Sequence, residues 1–179
     1  MKMRQTGAAL LVCLILLVPL LMLSLSAMET ALLGERMASG AIDQSRAFQS
    51  AEAALEAAES WLAAQEEIPQ ASADGGGRVW AEGVLSSASD GALWWNASGL
   101  DLAWWRSNGT AIPTDSSLAE NARFIIEQYR FIRDGESIEL GAGTPRSLIA
   151  YHRVTALGVG RRSSSRVLLQ STYVRSFDD

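Results

Sequence analysis

Residues 1–28 read MKMRQTG-AALLVCLILLVPLLMLSLSAM, and their order decides how the rest of the chain is read. Lys2 and Arg4 precede Gly7, and from Gln5 to Met28 there is no charged side chain. Gly7 to Leu23 holds no polar side chain at all. A helix needs about 20 residues to cross the hydrocarbon core of a bilayer, so the apolar run has membrane length. A secretory signal carries its small-residue cleavage site after the apolar region, which is then discarded. Here the small residue stands in front. The arrangement predicts a cut ahead of the apolar segment, which is kept as the mature N-terminus.

The remaining composition fits one membrane segment and one modest domain: 179 residues, 48% hydrophobic, with much of that excess in the first thirty. Lys2 and Arg4 are the only cations before Glu29, so the positive-inside rule keeps that end cytoplasmic. Without residues 1–7 the chain has 13 basic and 20 acidic residues, net −7. Glu29 to Glu67 holds eight acids against Arg36 and Arg46, while Glu120 to Asp179 holds nine arginines against seven acids. Attraction between subunits and an ordinary solvated surface both fit that asymmetry. Cys13 is the only cysteine, so no intramolecular disulfide forms. His152 is the only histidine; it reads as a surface or half-buried structural residue with no metal partners.

Beyond the apolar run the helical rhythm continues. Phe48, Ala51, Leu55, Ala58 and Leu62 recur at spacings of three and four, in an Ala/Glu-rich context of high helix propensity. One helix from Ala8 to about Glu67 is expected, roughly 90 Å long at 1.5 Å per residue, with Pro19, Gly34 and Gly40 as weak points. Residues 8–28 form its membrane or assembly part and 29–67 its amphipathic continuation, whose Phe48–Leu62 stripe packs on the C-terminal domain. Ile68-Pro69 ends it. Residues 68–122 read as a Gly/Ser/Trp-rich loop region, with Gly75–Gly77 as linker and a short helical turn at Leu118–Ala122. Residues 123–179 read as an antiparallel sheet: Arg123–Ile132, Ser137–Leu140, Leu148–Val159 and Arg166–Arg175, the last two joined across Gly160–Ser165. The fold class is α+β, one long helix packed on three or four strands.

Three places resemble the type IV pilin superfamily, and within it the PilX-type minor pilins. They are the leader with Gly7 followed by Ala8-Ala-Leu-Leu-Val; the blocks Glu35–Gly40 and Ala47–Leu55; and the closing segments Tyr151-His-Arg-Val-Thr-Ala and Val167–Tyr173. The resemblance implies cleavage by a prepilin peptidase between Gly7 and Ala8 and methylation of the new N-terminus at Ala8. Two departures stand out: pilins usually begin with phenylalanine, and usually carry a glutamate at the fifth mature position, where this chain has Val12. In the family that glutamate pairs with the amine of a neighbouring subunit; Val12 cannot. The resemblance therefore implies a minor pilin, tip-proximal or priming, acting in motility and adhesion. It also implies other minor and major pilins as partners through the N-terminal helix, lipid before assembly, and a tip adhesin as a further partner. The implied location is the inner membrane as a single pass with a periplasmic domain, then the pilus surface. No cofactor is implied.

Two other functions fit the same chain: a minor pseudopilin of a type II secretion system, and a single-pass anchored interaction or sensor protein. Trp94-Trp95 and Trp104-Trp105, with Trp80 nearby, are either a candidate partner or glycan surface or a cover over sheet and helix. Arg161, Arg162, Arg166 and Arg175 gather near the last hairpin, but without the density that nucleic-acid binding requires. No phosphate loop, nucleophile elbow or histidine–carboxylate spacing points to an enzyme.

Overall fold

The computed structural model describes residues 8–85, 101–133 and 147–178. It divides into two compact units, Met1–Ile42 and Asp43–Asp179. The first, over its described residues, is helix alone. The second holds the rest of that helix, a sheet and a second, short helix.

α1 spans Ala8–Ala63 without interruption, through Pro19. Its end comes a few residues before Glu67. The last carbonyls of a helix need donors from outside it, and Arg175 supplies them, its Nη1 donating to the carbonyls of Leu62, Ala63 and Gln65.

The sheet has six strands in the order β1-β2-β4-β5-β6, with β3 paired to β4 off that path. Three long strands dominate: β4 (Arg123–Arg133), β5 (Ser147–Val159) and β6 (Arg166–Asp178). They are antiparallel, with one bulge in β4 between Gln128 and Arg130. The segment expected at Ser137–Leu140 lies outside the described residues. β1 (Ala71–Ser72) and β2 (Val79–Trp80) extend the sheet as short parallel strands, and β3 is Thr110–Ala111.

Side-chain alternation along the strands gives the sheet two apolar faces. Phe124, Ile126, Val154 and Ala156 pack with Ala54, Ala58 and Leu62 of α1 on one face. Ile125, Leu157 and Val159 pack with Trp80 and Trp105 on the other. Trp105 belongs to α2 (Leu102–Asn108), which Asp101 starts by accepting a hydrogen bond from the Ala103 N–H at 3.0 Å.

Three expectations are corrected here. The stretch from 71 to 111 is not plain loop, since β1, β2, α2 and β3 lie in it. Gly75 is no linker glycine either: its φ is +67°, and a Cβ there would stand 2.4 Å from the Trp80 indole. The glycine lets a tight turn close against that ring. At Leu118 there is a turn closed by its N–H on the Asp115 carbonyl at 3.0 Å, and no helix.

The buried face of α1 also differs from the expected stripe. Ala47, Ala51, Ala54, Ala58 and Leu62 are buried, whereas Phe48 is 43% exposed. The cause lies on β5. A Cβ on Gly158 would meet the Ala47 carbonyl oxygen at 2.0 Å and the Ala51 nitrogen at 2.4 Å. Helix backbone and strand backbone touch there, so only alanine fits between them. A phenylalanine in that face would force the helix off the sheet.

Candidate functional site

The first candidate is the N-terminal part of α1. Gly7 lies outside the described residues, and Ala8 opens the helix. From Leu10 to Ile42 every Leu, Ile, Val and Met is exposed, by 47 to 75%. Val12, where pilins usually carry glutamate, is 53% exposed, and the Cys13 thiol is exposed as well. Two of the four hydroxyls of this stretch bond back into the helix: Ser24 donates to the Leu20 carbonyl at 2.8 Å and Thr30 to the Ser26 carbonyl at 2.9 Å. A helix meeting lipid or other helices must satisfy its polar groups this way. It is long and apolar enough to cross a membrane. Chemically it can do one thing, which is to bury a continuous apolar surface in something that is not water.

The second unit supplies the mounting for the rest of α1. Asp43, 5% exposed, accepts hydrogen bonds from the backbone N–H groups of Arg161 at 2.6 Å and Arg162 at 3.2 Å. A hydrogen bond with Ser165, and then those two N–H groups, holds its carboxyl below the ordinary value. One carboxylate thus ties α1 to the turn between β5 and β6. Nothing in the local sequence marks Asp43, because its partners lie 118 and 119 residues away.

On the face away from α1, Glu127 is 1% exposed and pairs across the strands with Arg153, through Nε and Nη2 at 3.0 Å each. The Arg153 guanidinium also lies over the Tyr129 ring, 5.4 Å from its centroid. A bidentate pair of this geometry satisfies a buried carboxylate that would otherwise be costly. It was not foreseen; opposite charges facing each other on adjacent strands are visible only once the register is known. Beside α2, Arg106 pairs with Glu120, which lowers that carboxyl, and Arg123 donates to the Gly109 carbonyl at 2.8 Å.

The tryptophans divide. Trp94 and Trp95 lie outside the described residues. Trp105 is fully buried and cannot be part of a partner surface; it covers the sheet instead. Trp104 sits edge-to-face on it at 5.7 Å and is half-buried. Adjacent positions on a helix point about 100° apart, so one ring of a tandem pair goes in while the other stays near the surface. His152 is neither surface nor half-buried. It is 1% exposed, with no hydrogen-bond partner on either ring nitrogen, and burial pushes its pKa down. Of the four arginines noted near the last hairpin, Arg175 caps α1 and the Arg166 Nε donates to the Ser163 carbonyl. Among the described residues there is no cluster of metal-ligating side chains.

The family comparison joins these two parts. The PilX N-terminal family matches residues 6–56, and the type IV pilus assembly protein PilX C-terminal family matches residues 68–175. The chain belongs to the PilX family of type IV pilus assembly proteins. No curated protein and no solved structure matches it. The N-terminal match takes in the apolar stretch and Asp43, and the C-terminal match takes in the sheet up to Arg175 of β6. PilX membership makes the chain a minor pilin of α+β fold, with a long apolar helix and a role in pilus assembly.

Proposed function

We propose that this minor pilin is cut between Gly7 and Ala8 by a prepilin peptidase and methylated at Ala8, then waits in the inner membrane as a single-pass protein with its sheet domain in the periplasm. From there it joins other minor pilins to start polymerisation and remains at or near the filament tip. Residues 8–28 exchange lipid for the equivalent helices of neighbouring pilins. Twitching motility and adhesion follow from that assembly role, with a tip adhesin as a further partner. Lys2 and Arg4 support the orientation, since cations are retained on the cytoplasmic side.

Val12 carries the tip assignment. A carboxylate held in lipid is costly unless it is paired. Shaft pilins meet that cost by pairing it with a neighbour's amine. Val12 avoids the cost and forgoes the pairing, which suits a subunit with fewer neighbours than a shaft subunit has. The test is deletion of the gene in cells whose pili cannot retract. Piliation is expected to fall to a small fraction of wild type; undiminished piliation overturns the priming role.

A further inference from the structure

His152 is 1% exposed, and neither of its ring nitrogens has a hydrogen-bond partner. Its register on β5 sets what surrounds it. Val154 and Ala156 pack on α1, and side chains two apart on a strand share a face, so His152 lies on the face that α1 covers. It stands opposite Gln128 of β4 and Tyr173 of β6. Ser171 and Arg175, two residues to either side of Tyr173, hold the end of α1. The Ser171 hydroxyl donates to Glu59 at 2.6 Å, and Arg175 Nη1 donates to the Leu62 carbonyl at 3.1 Å and the Ala63 carbonyl at 2.7 Å. The imidazole therefore lies in register between two attachments of the last turns of α1. Among the described residues, the titratable or charged side chains on that side are Glu59 from α1 and Tyr173 and Arg175 from β6. From β4 the paired residue is the uncharged Gln128, while Glu127 and Arg153 lie on the opposite face.

We propose that His152 is a proton-sensitive latch: a proton on its imidazole raises the share of molecules in which the last turns of α1, from Glu59 to Ala63, lift from β5 and β6, while the Asp43 end of the helix stays attached. A charge on the ring is disfavoured by burial, and the Arg175 guanidinium close in register adds a like charge. Lifting the helix end exposes the ring to water and removes both costs. The opening is local because the two ends of the packed helix are held differently. Near Asp43, helix backbone lies against Gly158, and the carboxylate accepts two backbone N–H groups. At the other end the ties are side-chain hydrogen bonds from Ser171 and Arg175, and helix ends open at lower cost than helix interiors. Burial holds the ring's pKa below 6.5, so the latch is fully closed above 6.5 and loosens as pH falls toward the folded value. The latch stands whether or not the chain enters a filament.

The test is hydrogen exchange of the full chain in micelles between pH 8 and pH 5, read by mass spectrometry and corrected for the pH dependence of the exchange chemistry. An opening that lets one extra proton bind becomes more populated by up to about tenfold for each unit of falling pH. The expected result is such a rise below pH 6.5 in the amides of residues 59–65, with those of residues 43–54 unchanged. His152→Gln and His152→Leu carry no proton in this range and should both remove the rise. A flat profile at residues 59–65 overturns the latch. So does an equal rise at residues 43–54 and in β4, since His152 would then report only on unfolding of the whole domain. A rise that persists in a folded variant assigns it to another group and also overturns the proposal. Should neither variant fold, the contrast between the two ends of the helix in the unaltered chain still decides.

Discussion

Residues 10–42 of α1 expose every large apolar side chain they carry, whereas residues 47–62 bury four alanines and a leucine and leave Phe48 outside. The helix is one continuous element, yet its two parts are matched to different surroundings. The later part is fitted to its own chain: small residues toward Gly158, a carboxylate toward the hairpin turn, and carbonyls capped by Arg175. Among the described residues the earlier part leaves its large apolar side chains exposed, and it has the length and apolarity to enter a bilayer. Hydrophobicity does not mark the part that packs on the domain. Close fit does: alanines face Gly158, while the run of exposed Leu, Ile, Val and Met lies in residues 10–42.

The sharpest way to break this contrast is to remove the close fit. Gly158→Val puts a side chain where the Ala47 and Ala51 backbone already lies. Overpacking against backbone that cannot shift is expected to cost more than about 3 kcal/mol, and the domain should become protease-sensitive in detergent extracts. Next in size, Trp105→Ala is expected to cost about 3–5 kcal/mol as a large-to-small change in a core. Trp104→Ala should cost clearly less, because that ring is only half-buried; thermal unfolding of the full chain in micelles ranks the pair.

Two smaller effects are read from pH. Burial lowers the His152 pKa below 6.5, so the unfolded chain takes up its proton first. Stability therefore falls as pH drops from 6.5 toward the folded value, and His152→Leu should flatten that part of the Tm-against-pH curve. Asp43 is a carboxyl with its pKa held below 3.8 in the folded state, so its contribution is present above 3.8 and is lost on further acidification. Asp43→Asn should lower Tm at neutral pH, with the gap to wild type narrowing below 3.8. The smallest effect belongs to the early part of α1. Leu16→Ala, at a position 57% exposed, should leave the unfolding free energy of the sheet domain within about 0.5 kcal/mol of wild type.

Helix, strand type and family were legible in the sequence because they rest on local signals: an apolar run after Gly7, a 3–4 period through Leu62, and alternation in β4 to β6. The phase of the buried stripe was only partly legible. Reading it from the largest apolar residues finds Ala51, Ala58 and Leu62 but places Phe48 inside, because the requirement for small residues is set by Gly158, more than a hundred positions away. The 71–111 region was misread for a related reason. β1, β2 and β3 are two residues each, too short for any periodicity, and α2 has seven. Asp43, His152 and the Glu127–Arg153 pair owe their settings to strand register and to the hairpin turn, which no single stretch encodes.

The most direct test of the central contrast is mass spectrometry of the N-terminus of the chain recovered from sheared filaments. A mature chain that begins at methylated Ala8 and keeps residues 8–28 intact is the predicted result. A product that starts at Met1, or one that has lost the segment up to Met28, would contradict the account.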